Sequence, residues 1–306
     1  MLSNKNNLFY SIFVFLTCVL IFESCNSSKS KTSDNLSALT QTRDSLDAIS
    51  RDTISVDIKN CKKTIKMAWS RNTTTHQKKL IQELIQELIY VDGGTFLMGC
   101  NTPKDTQCVE AEFPSHLVTL DPFFIGKFEI TQLLWVKIMD HDPNTYKGNT
   151  LPVTSISWDD CQEFIKRLNH ITSLNFALPT EAQWEFAARG GIKSKNTPFA
   201  GSKEINEVAW YKGNSKLMYQ SIGTLAPNEL GLHDMSGNVW EWCSDFYGPY
   251  STEQQKNPKG PESGVNRVYR GGSWLDNQSY IRITTRNCGR PDYKMNCLGF
   301  RLILIQ

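Results

Sequence analysis

The chain has little of what most metal and redox chemistry is built from. Histidine occurs five times in 306 residues, at His76, His116, His141, His170 and His233, with no HxH or HxxxH spacing. No CxxC occurs and no Cys/His run has zinc-site spacing, which removes the common zinc and dithiol motifs. An excess of one charge is also missing. The net charge is +2, so nothing in the balance points to nucleic acid. No internal repeat and no alternation of strand and helix signals is present, which argues against solenoids and doubly wound parallel sheets. The one long apolar run, Leu8 to Phe22, covers fifteen residues and is too short for a comfortable membrane span.

That run follows Lys5 and reads as the core of an export signal. Phe22-Glu23-Ser24-Cys25 then resembles a lipoprotein-processing box, with Cys25 as the lipidation residue and Glu23 as a departure from the usual pattern. An ordinary cleaved signal and an uncleaved anchor are the alternatives. A doubly acylated cysteine anchors a protein stably where one chain is marginal. The expected address is therefore the cell envelope, lipid-anchored and at the outer membrane. Residues 1–25 are read as the signal, 26–75 as a flexible polar and basic tether, and 76–306 as the globular domain. Over residues 26–80, eleven Lys/Arg stand against five Asp, with few aromatics. The expected partners are the membrane, through the anchor, and other cell-envelope proteins, with no nucleic acid.

Nine cysteines fit an oxidising compartment. Beyond Cys18 and Cys25 they are Cys61, Cys100, Cys108, Cys161, Cys243, Cys288 and Cys297. Cys100 and Cys108 bracket a turn-rich loop and are placed to bridge; Cys288 and Cys297 are similarly placed. The odd count leaves at least one thiol, and all seven read as structural.

Leu80, Ile81, Leu84, Ile85 and Leu88 recur at helical spacing and predict an amphipathic helix over 76–89. Tyr90 to Gly99 reads as an opening hairpin broken at Gly93-Gly94, and Phe123 to Thr131 as a second strand. Thr131 is placed to cap a helix over 132–139. Ser157 with Asp160 forms a near capping box for a helix running to His170, and Thr180 caps a helix stopped by Gly190-Gly191. The remainder is loop-rich, with short strands near 268–273 and 300–305. This is an α+β domain with little regular structure.

Four blocks arrive in order: Leu178 to Gly191 (LPTEAQWEFAARGG), Gly231 to Trp242 (GLHDMSGNVWEW), Arg270 to Trp274 (RGGSW) and Leu298 to Arg301 (LGFR). Together they resemble the formylglycine-generating enzyme (sulfatase-modifying factor) family over residues 88–304. The resemblance implies a C-type-lectin-like variant of the α+β class. In the family's oxidases one cysteine follows RGGSW after one residue and a second comes five positions later. The two thiolates hold the copper ion that, with dioxygen, converts a sulfatase cysteine to formylglycine. Here those positions are Asp276 and Ile281.

Copper(I) is soft and needs thiolate donors. A hard carboxylate and an alkyl group do not replace them, so copper is not expected and no catalytic residue is assigned at these degenerate positions. Trp240 and Ser273 match residues of the oxidase pocket wall, or serve as core packing and a turn hydroxyl. Asp276 is either a pocket base or a loop aspartate. By the same resemblance, a calcium ion is implied at the GNVWEW turn. Its ligands would be the Asp234 side chain, the Gly237 and Val239 carbonyls and the Glu241 side chain, a hard-oxygen set suited to Ca²⁺.

Two functions follow. One is a non-catalytic envelope lipoprotein that binds or scaffolds other proteins, like the cysteine-less members of gliding-motility and type IX secretion machinery. The other is a periplasmic enzyme of altered chemistry, like the cysteine-free relatives that modify a siderophore precursor. A true formylglycine-generating oxidase is the least favoured reading.

Overall fold

The computed structural model describes residues 53–100 and 108–305. The signal segment, Cys25 and the first half of the expected tether lie outside the described residues. The second half is not a tether. β1 (Thr53–Asp57) and β2 (Thr64–Ala68) form an antiparallel hairpin. Val56, Ile58, Ile65, Met67 and Trp69 point inward and join the main core beside Ile81 and Ile85. Lys66 occupies the opposite, exposed side of β2, as a period of two dictates, while Lys63 in the turn lies over the Tyr90 ring.

Helix α1 (Thr75–Gln86) carries a full capping box, with Thr74 and Gln77 satisfying each other's backbone N–H groups. It ends earlier than its periodicity predicts, because Leu88 and Ile89 belong to β3 (Leu88–Val91). β4 (Gly94–Met98) follows, but the expected opening hairpin does not form. β3 pairs with β6 (Phe123–Gly126), while β4 pairs with β5 (His116–Leu120). The Gly93-Gly94 turn thus sends two successive strands into different sheets. The predicted caps of the next three helices are in place. Thr131 accepts from Leu134 N–H at the start of α2 (Gln132–Met139), Ser157 and Asp160 box α3 (Trp158–Thr172), and Thr180 caps α4 (Glu181–Ala188).

After α3 come β7 (Asn175–Ala177) and then α4. The rest of the chain is loop threaded by β8 (Trp240–Phe246), β9 (Gln255–Lys256), β10 (Arg267–Arg270), β11 (Arg286–Gly289), β12 (Leu298–Gly299) and β13 (Ile303–Ile305). The sheet orders are β11-β10-β8-β12, β3-β6-β13-β7 and β4-β5-β9. Trp135 stacks on Phe164 and meets Phe300 edge-on at the centre of the largest apolar cluster. Cys100 and Cys108 are bonded, as their spacing anticipates. Cys288 and Cys297 stay thiols. They flank opposite edges of a four-stranded sheet, too far apart for the roughly 4–7 Å between Cα atoms that a disulfide spans.

The sequence blocks meet in one buried polar frame. From α4, Glu185 receives Arg270 and Arg189, while Glu181 receives Arg270, Arg286 and the Tyr250 hydroxyl. Burial opposes the Glu185 charge, but Arg189 and Arg270 together hold its carboxyl below the usual range. From β8, Glu241 takes a two-pronged contact from Arg301 (2.6 and 2.7 Å) and the Trp184 indole N–H (2.7 Å). Removing one member of such a network strands a buried charge.

Candidate functional site

β10 delivers Arg270 and then turns through Gly271 and Gly272, both left-handed. A Cβ on Gly272 would lie 2.5 Å from the Tyr280 carbonyl, so the turn tolerates no side chain there. The turn is lashed to the GNVWEW segment by Gly237 N–H to the Gly271 carbonyl and Trp274 N–H to the Asn238 carbonyl. This holds Ser273 against the start of β8. The Ser273 hydroxyl and the Trp240 indole N–H both donate to Oδ2 of Asp276, at 2.5 and 2.8 Å. Cys297, one residue before β12, brings its thiol into hydrogen-bonding reach of Ser273.

The pocket-wall residues and Asp276 are therefore brought together. Ile281 is not with them. It is fully buried in a satellite cluster with Phe199, Ile205, Val208 and Ala209. Of the two positions that resemblance assigns to thiols, one holds a hydrogen-bonded carboxylate and the other lies in the core. Cys297 is the thiol that counting from RGGSW misses. Burial pushes it up to about 11, so at neutral pH it is a thiol rather than a thiolate. Four clefts of about 250–500 Å³ open elsewhere among the described residues, and their linings do not include Asp276, Ser273, Trp240 or Cys297.

The segments beside this cluster carry exposed apolar side chains among exposed polar ones. The segment before Tyr219 is tied to it by Lys212 N–H to the Asp276 carbonyl and by the Ser215 hydroxyl to the Trp274 carbonyl. Lys216 and Leu217 both adopt φ of 57°, a strained choice for two successive side-chain-bearing residues. Leu217 is 60% exposed, and Met218, Leu275 and Tyr280 also face solvent.

The residues assigned to calcium occupy the turn that enters β8. Asp234 is buried with φ of 59°, and its Oδ2 accepts from Gly223 N–H at 2.7 Å. Gly237 must be glycine, because a Cβ would sit 2.3 Å from the Trp210 carbonyl. Glu241 already gives both oxygens to Arg301 and one also to Trp184. A further carboxylate, Glu129, reaches in from the segment after β6; its Oε1 accepts from Asn238 Nδ2 at 3.0 Å. Burial and the neighbouring Asp234 and Glu241 raise the Glu129 carboxyl well above its ordinary value, and burial lifts Asp234 to about 6. Three buried carboxylates thus lie near one guanidinium, Arg301, which bonds Glu241 alone among them, and the excess negative charge fits a hard cation. The signal for Glu129 is a lone acidic residue in the stretch Phe123 to Ile130, apolar apart from it and Lys127.

A family profile, the sulfatase-modifying factor enzyme 1-like domain, matches residues 73–305. The chain belongs to this family. It is 28% identical over 248 residues to the chaperone protein LppX of Paenibacillus barcinonensis, covering 65% of this chain and 82% of that protein. It is 28% identical over 296 residues to the formylglycine-generating enzyme of Thermomonospora curvata, covering 72% and 94%. Among solved structures it resembles Treponema denticola variable protein 1, with a TM-score of 0.65 and 23% identity over 83% of this chain and 99% of that one. The α+β, C-type-lectin-like fold of the sulfatase-modifying factor family is thus borne out. Its motif blocks form the buried frame, and the positions that resemblance assigns to its two thiols hold Asp276 and Ile281.

Proposed function

We propose that this member of the family is a non-catalytic binding or scaffold module of the cell envelope, anchored by lipid at Cys25 and acting on other envelope proteins. The observation that carries the reading is what stands at the two positions that resemblance assigns to thiols. The Asp276 carboxylate is engaged by Trp240 and Ser273, Ile281 is packed in core, and neither side chain offers copper a soft donor. The exposed Leu217, Met218, Leu275 and Tyr280 lie on the segments beside this cluster and are of the kind that protein partners cover. That a relative is named a chaperone supports a protein-binding role over a small-molecule one. The export signal read from Leu8 to Cys25 supports the address; among the described residues, no helix is long and apolar enough to cross a membrane.

The same reading assigns a calcium ion to the turn entering β8, held by Asp234, Glu241 and the carbonyls of Gly237 and Val239. The ion would supply structural bracing of a loop with few regular hydrogen bonds, stabilising the folded state by mass action.

The purified protein, incubated aerobically with copper and a cysteine-containing sulfatase peptide, is expected to yield no aldehyde by mass spectrometry, and turnover would refute the non-catalytic assignment. In cells, Cys25→Ser is expected to release the protein from membranes; retention in the membrane fraction would contradict the lipid anchor.

A further inference from the structure

The frame around Glu181 contains one carboxylate that no cation answers. Asp245, near the end of β8, is 4% exposed. Its Oδ2 accepts from Glu181 N–H at 3.0 Å and from the Ser244 hydroxyl at 2.9 Å, and among the described residues no hydrogen bond reaches its Oδ1. The nearby guanidiniums are committed elsewhere. Arg270 and Arg286 pair with Glu181, and Arg270 also with Glu185. Arg267 lies between the rings of Trp158 and Phe246 and donates to the Ser244 carbonyl. A buried carboxylate so placed either keeps a proton or takes up a positive charge from outside. Burial, helped by the charge of Glu181, lifts Asp245 to about 7, in keeping with that lack of a partner.

Asp245 is not sealed in. With Glu181 and Arg286 it lines a cleft of about 500 Å³, a volume typical of small-ligand pockets. The outer wall is the loop that leaves β8 and returns to β10. Gly260 of this loop has φ of 71°, and a Cβ there would lie 2.9 Å from that of Asp245. The wall therefore closes onto the carboxylate only because residue 260 is glycine. Met98, Phe246, Pro258 and Pro261 give the cleft apolar sides. Two exposed lysines complete the lining: Lys256, which pairs with Asp121, and Lys259, which is in no ion pair among the described residues.

The cleft thus combines an unanswered buried carboxylate, an uncommitted ammonium and apolar walls. A simple cation meets the lysines, and a simple anion meets Asp245. A molecule carrying both charges on an apolar body suits the whole lining. We propose that this cleft binds a small zwitterion of the amino-acid or dipeptide class, with its ammonium on Asp245, its carboxylate on Lys259 and its side chains against the Met98 and proline walls. The lining includes none of Asp276, Ser273 and Trp240, so occupancy of this site is independent of the scaffold reading above.

Calorimetric titration of the purified full chain with L-leucyl-L-leucine tests it, beside N-acetyl-leucyl-leucine, which lacks the ammonium, and leucyl-leucinamide, which lacks the carboxylate. The free dipeptide is expected to bind at one site, the acetylated form about tenfold more weakly or worse, and the amide several-fold more weakly. Asp245→Asn keeps the acceptor for Glu181 N–H and is expected to bind the free and acetylated forms alike. Lys259→Ala is expected to bind the free dipeptide and the amide alike. Equal binding of the free and acetylated forms by the wild type, or no binding of the free dipeptide, would overturn the assignment. Should Asp245→Asn fail to fold, the three probes on the wild type and on Lys259→Ala, whose side chain is exposed, carry the same comparison.

Discussion

At position 276 a carboxylate accepts from Trp240 and Ser273 where, by resemblance, the oxidases of the family present a thiol, and at 281 an isoleucine fills a core niche. Both departures are legible by counting from RGGSW, because they are departures from a fixed spacing. Glu129 and Cys297 are not, since each acquires its meaning only from neighbours more than twenty residues away in the chain. Asp245 belongs to the same class. It is buried at the start of α4, where it accepts from Glu181 N–H and the Ser244 hydroxyl. Burial, helped by the charge of Glu181, lifts its carboxyl to about 7. In the unfolded chain it titrates near 4. The folded state therefore binds this proton more tightly, and its stabilising contribution is complete below pH 4 and lost as pH rises from there through 7. The loss is on the order of 2–4 kcal/mol. Asp245→Asn, which keeps the acceptor for Glu181 N–H, is expected to flatten the fall in melting temperature between pH 5 and 8; an unchanged profile would show that Asp245 is not its source.

Among the elements, the helices are the most readable. Thr131, Ser157 and Thr180 announce their starts through a side-chain oxygen placed to take orphan N–H groups, a rule local to four residues. The β1–β2 hairpin escapes the sequence reading for the opposite reason. Lys59, Lys62, Lys63 and Lys66 dominate the composition of that stretch, and the alternating Ile54, Val56, Ile65 and Met67 are visible only if a period of two is sought beneath the charge. Likewise Leu88 and Ile89 continue the helical pattern of α1 by accident, and pairing with β6 overrides it. If the hairpin is part of the domain, a chain beginning at residue 76 exposes Ile81 and Ile85 and should be markedly less stable than one beginning at 52. Trp69→Ala alone should cost roughly 3–5 kcal/mol in denaturant unfolding. Equal midpoints for the two truncations would return residues 53–75 to the status of a tether.

On the scale of the whole molecule, the family signature is a description of the frame. Glu181 and Glu185 of the first block meet Arg270 of the third, Trp184 of the first meets Glu241 of the second, and Arg301 of the last closes on Glu241. These residues preserve an irregular, loop-rich fold and make no demand on the chemistry at 276 and 281. That separation explains how the sequence announces its fold so plainly while saying little of its biological role. The frame lies in four contiguous blocks, whereas a partner surface such as Leu217, Met218 and Leu275 has no spacing to recognise. The central claim, that the fold persists without its copper-thiolate chemistry, is tested most directly by titrating the folded protein with Cu(I) against a chromophoric chelator. The account predicts that the copper stays with the chelator. Transfer of one equivalent of Cu(I) to the protein, lost on substitution of Asp276 or Cys297, would contradict it.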